Sequence, residues 1–289
     1  MGDERLVPVN GVELCVETFG KPEAPPVLLV GGSMLSWPDE LCERLAAAPR
    51  HVIRYDLRDT GRSTTVDPDK PGYTLRDLVA DAAGLLEALG IPRAHVAGYG
   101  AGGWIAQLLA LDHADRVAAL TLVATRPVAP GPVDPDLPEH DADLMAFIMS
   151  APQPDWSDRA SVVAAMAESA RHMAGQGGFD EAEARERAGR VFDRAVVPPG
   201  VDPGAVHRSN QLGSVFAALD CRPRWRGRLG GIAAPTVVIH GEDDPFFPIG
   251  NGEALAGEIP GARLVRLPGT GQELPRRVWD EVIAVLARG

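Results

Sequence analysis

The chain has 289 residues, with 28 Lys and Arg against 40 Asp and Glu, a formal charge of −12 at pH 7. An acidic surface of that size excludes a general polyanion binder such as a nucleic-acid protein. Apolar residues make up 45% of the chain, and no apolar run approaches the ~20 residues that a membrane span requires.

The length suits one large domain carrying an insertion. The acidic start Met1-Gly2-Asp3-Glu4-Arg5 leads into no apolar signal core, which predicts a cytoplasmic protein. Cys15, Cys42 and Cys221 are odd in number and widely spaced, so they form neither a disulfide framework nor a metal-ligand pair.

In chain order, Leu6 to Gly20 carries an Asn10-Gly11 turn between two short apolar stretches, a strong hairpin signal. Pro26 to Val30 is a continuous apolar run ending at Gly31-Gly32, and His51 to Asp56 is a second one, the pattern of buried parallel strands. Thr74 to Leu89 has apolar residues at helical spacing, with Thr74 as N-cap and Gly90-Ile91-Pro92 as the stop. Strand follows at Ala94 to Gly98, helix at Gly102 to Leu111, and strand at Ala119 to Ala124. This alternation predicts an α/β fold around a mostly parallel sheet flanked by helices.

From Arg126 to about Leu229 the rhythm stops, and a proline-rich opening leads into helical segments. That stretch is expected to be a helical cap, leaving 1–125 and 230–289 as the core and 126–229 as the cap. Strand signals resume at Thr236 to Gly241 and Arg263 to Leu267, and Pro275 to Arg288 reads as the closing helix. A cap over the strand ends encloses a pocket where open α/β sheets bind ligands.

The strand at 94–98 runs into Gly98-Tyr99-Gly100-Ala101-Gly102 and then a helix, the setting of the nucleophile elbow Gly-x-Ser-x-Gly, with glycine in place of serine. Together with Tyr55 to Thr64 and Gly31-Gly32 followed by Trp37-Pro38-Asp39-Glu40, this segment resembles the α/β-hydrolase superfamily, most closely the methylesterases of anthracycline (aclacinomycin-type) polyketides. The resemblance implies an α/β-hydrolase fold with a helical cap and no cofactor. It places the family's nucleophile at Gly100, its acid at Asp244 and its histidine at Gln272, and the oxyanion hole at the N–H groups of Ala101 and of Gly32 or Ser33.

Gly100 has no oxygen and glutamine does not titrate, so the usual acyl-enzyme route lacks both reacting partners. The expectation drawn from this is a non-hydrolytic tailoring enzyme, cyclase- or lyase-like, forming a carbon–carbon bond by enolate-type addition on an aromatic polyketide-like substrate. A residual methylesterase or decarboxylase and a non-catalytic metabolite-binding protein are the alternatives.

Asp244 either faces the pocket or caps the turn before Pro245, and Gln272 either orients substrate or pairs with Asp244. Tyr99 and Trp104 either stack on substrate or pack in the core, and Met34 is a further expected substrate contact. His140, His172 and His207 fall in the insertion, from which one could reach the pocket; no spacing suggests a metal site.

Overall fold

The computed structural model describes residues 3–213 and 215–288; Met1 and Gly2 of the acidic start, Ser214 and Gly289 lie outside them. Eight strands form one sheet: β1 (Asp3–Val9), β2 (Val12–Phe19), β3 (Pro26–Val30), β4 (His51–Tyr55), β5 (Ala94–Tyr99), β6 (Val117–Val123), β7 (Thr236–Gly241) and β8 (Arg263–Leu267). Their order is β1-β2-β4-β3-β5-β6-β7-β8, antiparallel at β1/β2 and β2/β4 and parallel from β4 onward. Asn10 and Gly11 join β1 to β2 with φ of 47° and 80°, the left-handed pair that a tight hairpin turn demands.

Among the described residues ten α-helices accompany the sheet: α1 (Asp39–Ala47), α2 (Leu75–Ala88), α3 (Gly102–Asp112), α4 (Ala142–Ser150), α5 (Arg159–Met173), α6 (Glu181–Arg194), α7 (Pro203–Leu212), α8 (Val215–Ala218), α9 (Gly250–Glu258) and α10 (Trp279–Leu286). Thr74 caps α2 in a reciprocal box with Asp77, its side chain accepting from the Asp77 N–H while the Asp77 carboxylate accepts from the Thr74 N–H. The core lies on both faces of the sheet. Leu28, Val30, Ile53, Leu108 and Leu120 sit on one side, and Val27, Leu29, Val52, Trp37 and Trp279 on the other.

Helix α3 is buried from Gly102 through Ala110, so its apolar residues run around the whole cylinder instead of along one stripe. It reaches the sheet closely because Gly102 has no side chain: a Cβ there would collide with the Val30 carbonyl. Gly102→Ala is therefore expected to lose about 2–3 kcal/mol by overpacking, read as a lowered midpoint in denaturant unfolding. An unchanged midpoint would show that α3 can back away from β3.

Helices α4 to α8 fall between β6 and β7 and lie over the carboxyl ends of the strands. The contacts that hold them there are made to the loops after those strands. The Val196 N–H donates to Gly61 O, the Asp141 N–H to Pro245 O and the Gly177 N–H to Gly269 O. At the end of α6, Arg194 donates to the buried Asp56 carboxylate from Nε at 3.0 Å and Nη2 at 2.9 Å.

Candidate active site

A cavity of about 620 Å³ opens between the strand ends and the helices above them. Its floor is the loop after β3, with Gly32 and Ser33, and the turn Tyr99-Gly100-Ala101 that joins β5 to α3. Its roof uses one face of each of two helices, at the i, i+3, i+4, i+7 spacing of a helical stripe: Met166, Ser169, Ala170 and Met173 from α5, and Ala184, Arg187, Ala188 and Val191 from α6. Ile148 and Leu212 both line the cavity and are exposed, which marks its mouth.

The turn has the elbow geometry that the sequence suggests. Gly100 sits at φ +56°, its N–H donates to Val123 O, and its carbonyl accepts from Thr125 Oγ1 at 2.7 Å. A Cβ built on Gly100 would find only the Gln272 Nε2 within reach, at 3.6 Å, an ordinary contact. The N–H groups of Ala101 and Gly32 have no acceptor among the described residues, and Ala101 stands at the uncapped N-terminus of α3, where the helix dipole favours negative charge. Ser33 lines the cavity too, but its N–H donates to Ser36 Oγ at 3.3 Å.

Gln272 closes the same end of the cavity and is 7% exposed. Its Nε2 donates to Ala124 O at 3.0 Å, its backbone N–H to Met173 O at 3.0 Å, and its carbonyl accepts from the Tyr99 hydroxyl at 2.7 Å. Its Oε1 is buried without a hydrogen-bond partner. Asp244 does not line the cavity and makes no hydrogen bond to Gln272. Its Oδ1 accepts from the Phe246 and Phe247 N–H groups at 2.9 and 2.8 Å, the turn-capping arrangement. Its Oδ2 is buried with no hydrogen-bond partner, and His240 Nε2 stands 3.4 Å from it.

Tyr99 and Trp104 both reach the cavity wall while packing against neighbours, Tyr99 edge-on to Trp37 and Trp104 edge-on to Phe216 and Phe247. Burial pushes the Tyr99 hydroxyl well above the usual tyrosine range. The Met34 assignment needs correction. Its side chain is fully buried against Cys15 and Leu35, away from the cavity, because its own N–H is held by Asp56 Oδ1 at 3.0 Å and fixes the loop with the side chain inward.

Two wall residues carry chemistry that the sequence reading left unassigned. His140, just before α4, presses its ring on Phe246, and its Nδ1 faces the Phe246 carbonyl. A carbonyl can only accept, so Nδ1 is a protonated nitrogen of this ring. Arg126, three residues past the end of β6, is the other. Among the described residues no group of three or more His, Cys, Asp or Glu is placed to hold a metal ion, and no helix is long and apolar enough to cross a membrane.

Comparison with known proteins follows the same lines. Residues 25–274 match the family described as alpha/beta hydrolase fold. The rhodomycin D methylesterase DauP of Streptomyces sp. (strain C5) is 33% identical, with 98% of this chain and 96% of that protein covered. DnrP of Streptomyces peucetius, also named rhodomycin D methylesterase, matches over the same shares at 33%. Among solved structures, a meta-cleavage product hydrolase from Pseudomonas fluorescens IP01 superposes with a TM-score of 0.72 over 98% of this chain and 96% of its own, at 19% identity, which speaks for the fold.

These findings overturn the expectation of a non-hydrolytic, cyclase- or lyase-like enzyme that forms carbon–carbon bonds. The relatives that span the chain are named for ester hydrolysis, and nothing in them supports addition or cyclisation. The eight-stranded sheet, the elbow between β5 and α3, and the match over residues 25–274 lead to one conclusion: the chain belongs to the alpha/beta hydrolase family.

Proposed function

We propose that the protein hydrolyses a carboxylic ester, of the methyl-ester type, on an aromatic polyketide-like small molecule, with water as the attacking nucleophile. The observation that carries this reading is the pair of free N–H groups, Ala101 and Gly32, at the floor of a mostly apolar cavity large enough for a multi-ring ligand. The names of the full-length relatives support the ester. The expected partner is accordingly a small molecule.

In this reading Gly100 supplies room where a nucleophilic side chain would otherwise stand, and a water occupies that room. Gln272 Oε1, buried and unpartnered, accepts one hydrogen bond from the water and orients it. His140 Nε2 takes the proton as the water oxygen bonds to the ester carbon. The carbonyl oxygen gains the negative charge and rests against the Ala101 and Gly32 N–H groups, where charge that develops in the transition state is stabilised most. Collapse breaks the bond to the alkoxy oxygen, which recovers the proton from His140 and leaves as the alcohol. Asp244 acts from behind the cavity by fixing the loop that carries Phe246 and Phe247.

The test is hydrolysis of an aromatic methyl ester such as methyl 2-naphthoate in oxygen-18 water. The expected result is methanol and one labelled oxygen in the acid, with His140→Gln lowering the rate by roughly 10²-fold or more. No methanol from the wild-type protein, or an unchanged rate in His140→Gln, would sink the route.

A further inference from the structure

Arg126 is 4% exposed and lines the cavity. Its Nε donates to Val128 O at 3.1 Å and its Nη2 to Ala129 O at 3.4 Å, which leaves Nη1 with no hydrogen-bond partner among the described residues. Phe247 covers one face of the guanidinium, 5.1 Å from ring centroid to Cζ. Among the described residues no carboxylate lies within ion-pair distance; the exposed Glu139 is the one whose field reaches it, and burial works against its charge.

Arg50 is buried without a carboxylate too, but it donates to the Ala287 carbonyl away from the cavity, and the other arginines of the core and cavity wall carry partners. Arg54 is held by Glu17 and Arg58 by Asp81, and Arg187, the second guanidinium in the cavity wall, is paired with Glu273 at 2.7 Å. A guanidinium removed from water without a counter-charge is costly, so one kept at a cavity wall is placed for a charge that arrives with the ligand. Its mount is rigid: the Arg126 carbonyl accepts from Gln107 Nε2 at 3.1 Å, Gln107 Oε1 accepts from Trp225 Nε1 at 2.9 Å, and the preceding Thr125 is tied to the Gly100 carbonyl. The elbow and Arg126 are thereby fixed relative to each other, as recognition of two ends of one molecule requires.

We propose that Arg126 is a specificity-determining subsite for an acidic oxygen, a carboxylate or ionised phenol, on the ring-bearing ligand. The cavity then prefers anions to neutral molecules of the same shape. This rests on the reading that the cavity receives the substrate, but not on the route of hydrolysis.

Binding tests it without turnover. The purified full-length protein is titrated by calorimetry with 2-naphthoate and with 2-naphthamide, which match in shape and differ in charge at pH 7. The wild-type protein is expected to bind the anion at least tenfold more tightly, Arg126→Met to lose that preference while holding the amide within threefold, and Arg126→Lys to keep part of it. Equal affinities in the wild-type protein, or a preference that survives Arg126→Met, would overturn the subsite. If Arg126→Met fails to fold, the wild-type ratio and Arg126→Lys decide. Binding of neither probe would bring down the subsite and the ester reading together, whereas an anion preference without ester turnover would uphold the subsite and remove only the hydrolysis.

Discussion

Gly100→Ser combined with Gln272→His is expected to raise ester hydrolysis by about 10²–10⁴-fold, the range that a positioned base contributes to a nucleophile it activates. The space is already there, since a Cβ on Gly100 meets only Gln272 Nε2, at 3.6 Å, and that atom leaves with the second substitution. The acid partner is there too. Asp244 Oδ2 is buried and unpartnered while Oδ1 holds two backbone N–H groups, so the carboxylate is fixed with one acceptor free for an imidazole N–H.

The cost is conformational. Gly100 lies at φ +56°, and a side chain there is expected to cost about 1–2 kcal/mol of stability. The gain is measured with p-nitrophenyl acetate as a burst of nitrophenol, which only an acyl-enzyme gives, and with a fluorophosphonate probe that adds its mass to the peptide holding position 100. A folded double variant with neither burst nor label would mean that residue 272 cannot bring a ring between the elbow and Asp244. Gly100→Ser alone is expected to fall below the parent rate, because its side chain fills the space that the attacking water uses.

Much of this site was open to sequence reading, for reasons that differ by element. The strands announced themselves because a parallel strand buried on both faces is a continuous apolar run, as Pro26–Val30 and His51–Tyr55 are. The hairpin and the start of α2 were legible from local chemistry, Asn10-Gly11 for the turn and Thr74 for the cap. Helix α9 went unread, since Gly250-Asn251-Gly252 at its start and Gly257 near its end blur any helical period.

Long-range placement was illegible. His140 and Arg126 reach the cavity only because the chain after β6 folds back over the strand ends, and Met34 turns away from it because Asp56, distant in sequence, holds its amide. The reaction was misread because a glycine at the elbow tells which nucleophile is absent and not which bond is made or broken, whereas the full-length relatives are named for ester hydrolysis.

Arg194→Ala is expected to lose about 3–5 kcal/mol at neutral pH, the usual result of stranding a buried charge. Asp56 is fully buried, and its Oδ2 is shared by the Arg62 N–H at 3.1 Å and two nitrogens of Arg194 at 3.0 and 2.9 Å. Burial pushes the Asp56 carboxyl above the usual carboxylate range, with the Arg194 charge and the Met34 and Arg62 N–H groups pulling the other way. Removing Arg194 takes away the strongest of these opposing groups, so the carboxyl rises further.

A carboxyl whose folded value lies above its unfolded one makes the folded state hold the proton more tightly, so its contribution to stability is greatest in acid and is lost as the pH climbs through the folded value. The deficit of Arg194→Ala relative to the parent is therefore expected to be largest at neutral pH and to shrink on acidification as Asp56 takes up its proton, since a neutral carboxyl needs no counter-charge. In melting temperature the neutral-pH loss is on the order of 10 °C for a chain of this size.

The same substitution frees the end of α6, whose Ala184, Arg187, Ala188 and Val191 form part of the cavity roof, so ligand affinity falls with stability. Paired melts of parent and variant across the pH range separate charge from packing. A deficit constant with pH would show that Arg194 anchors the helix by contact alone.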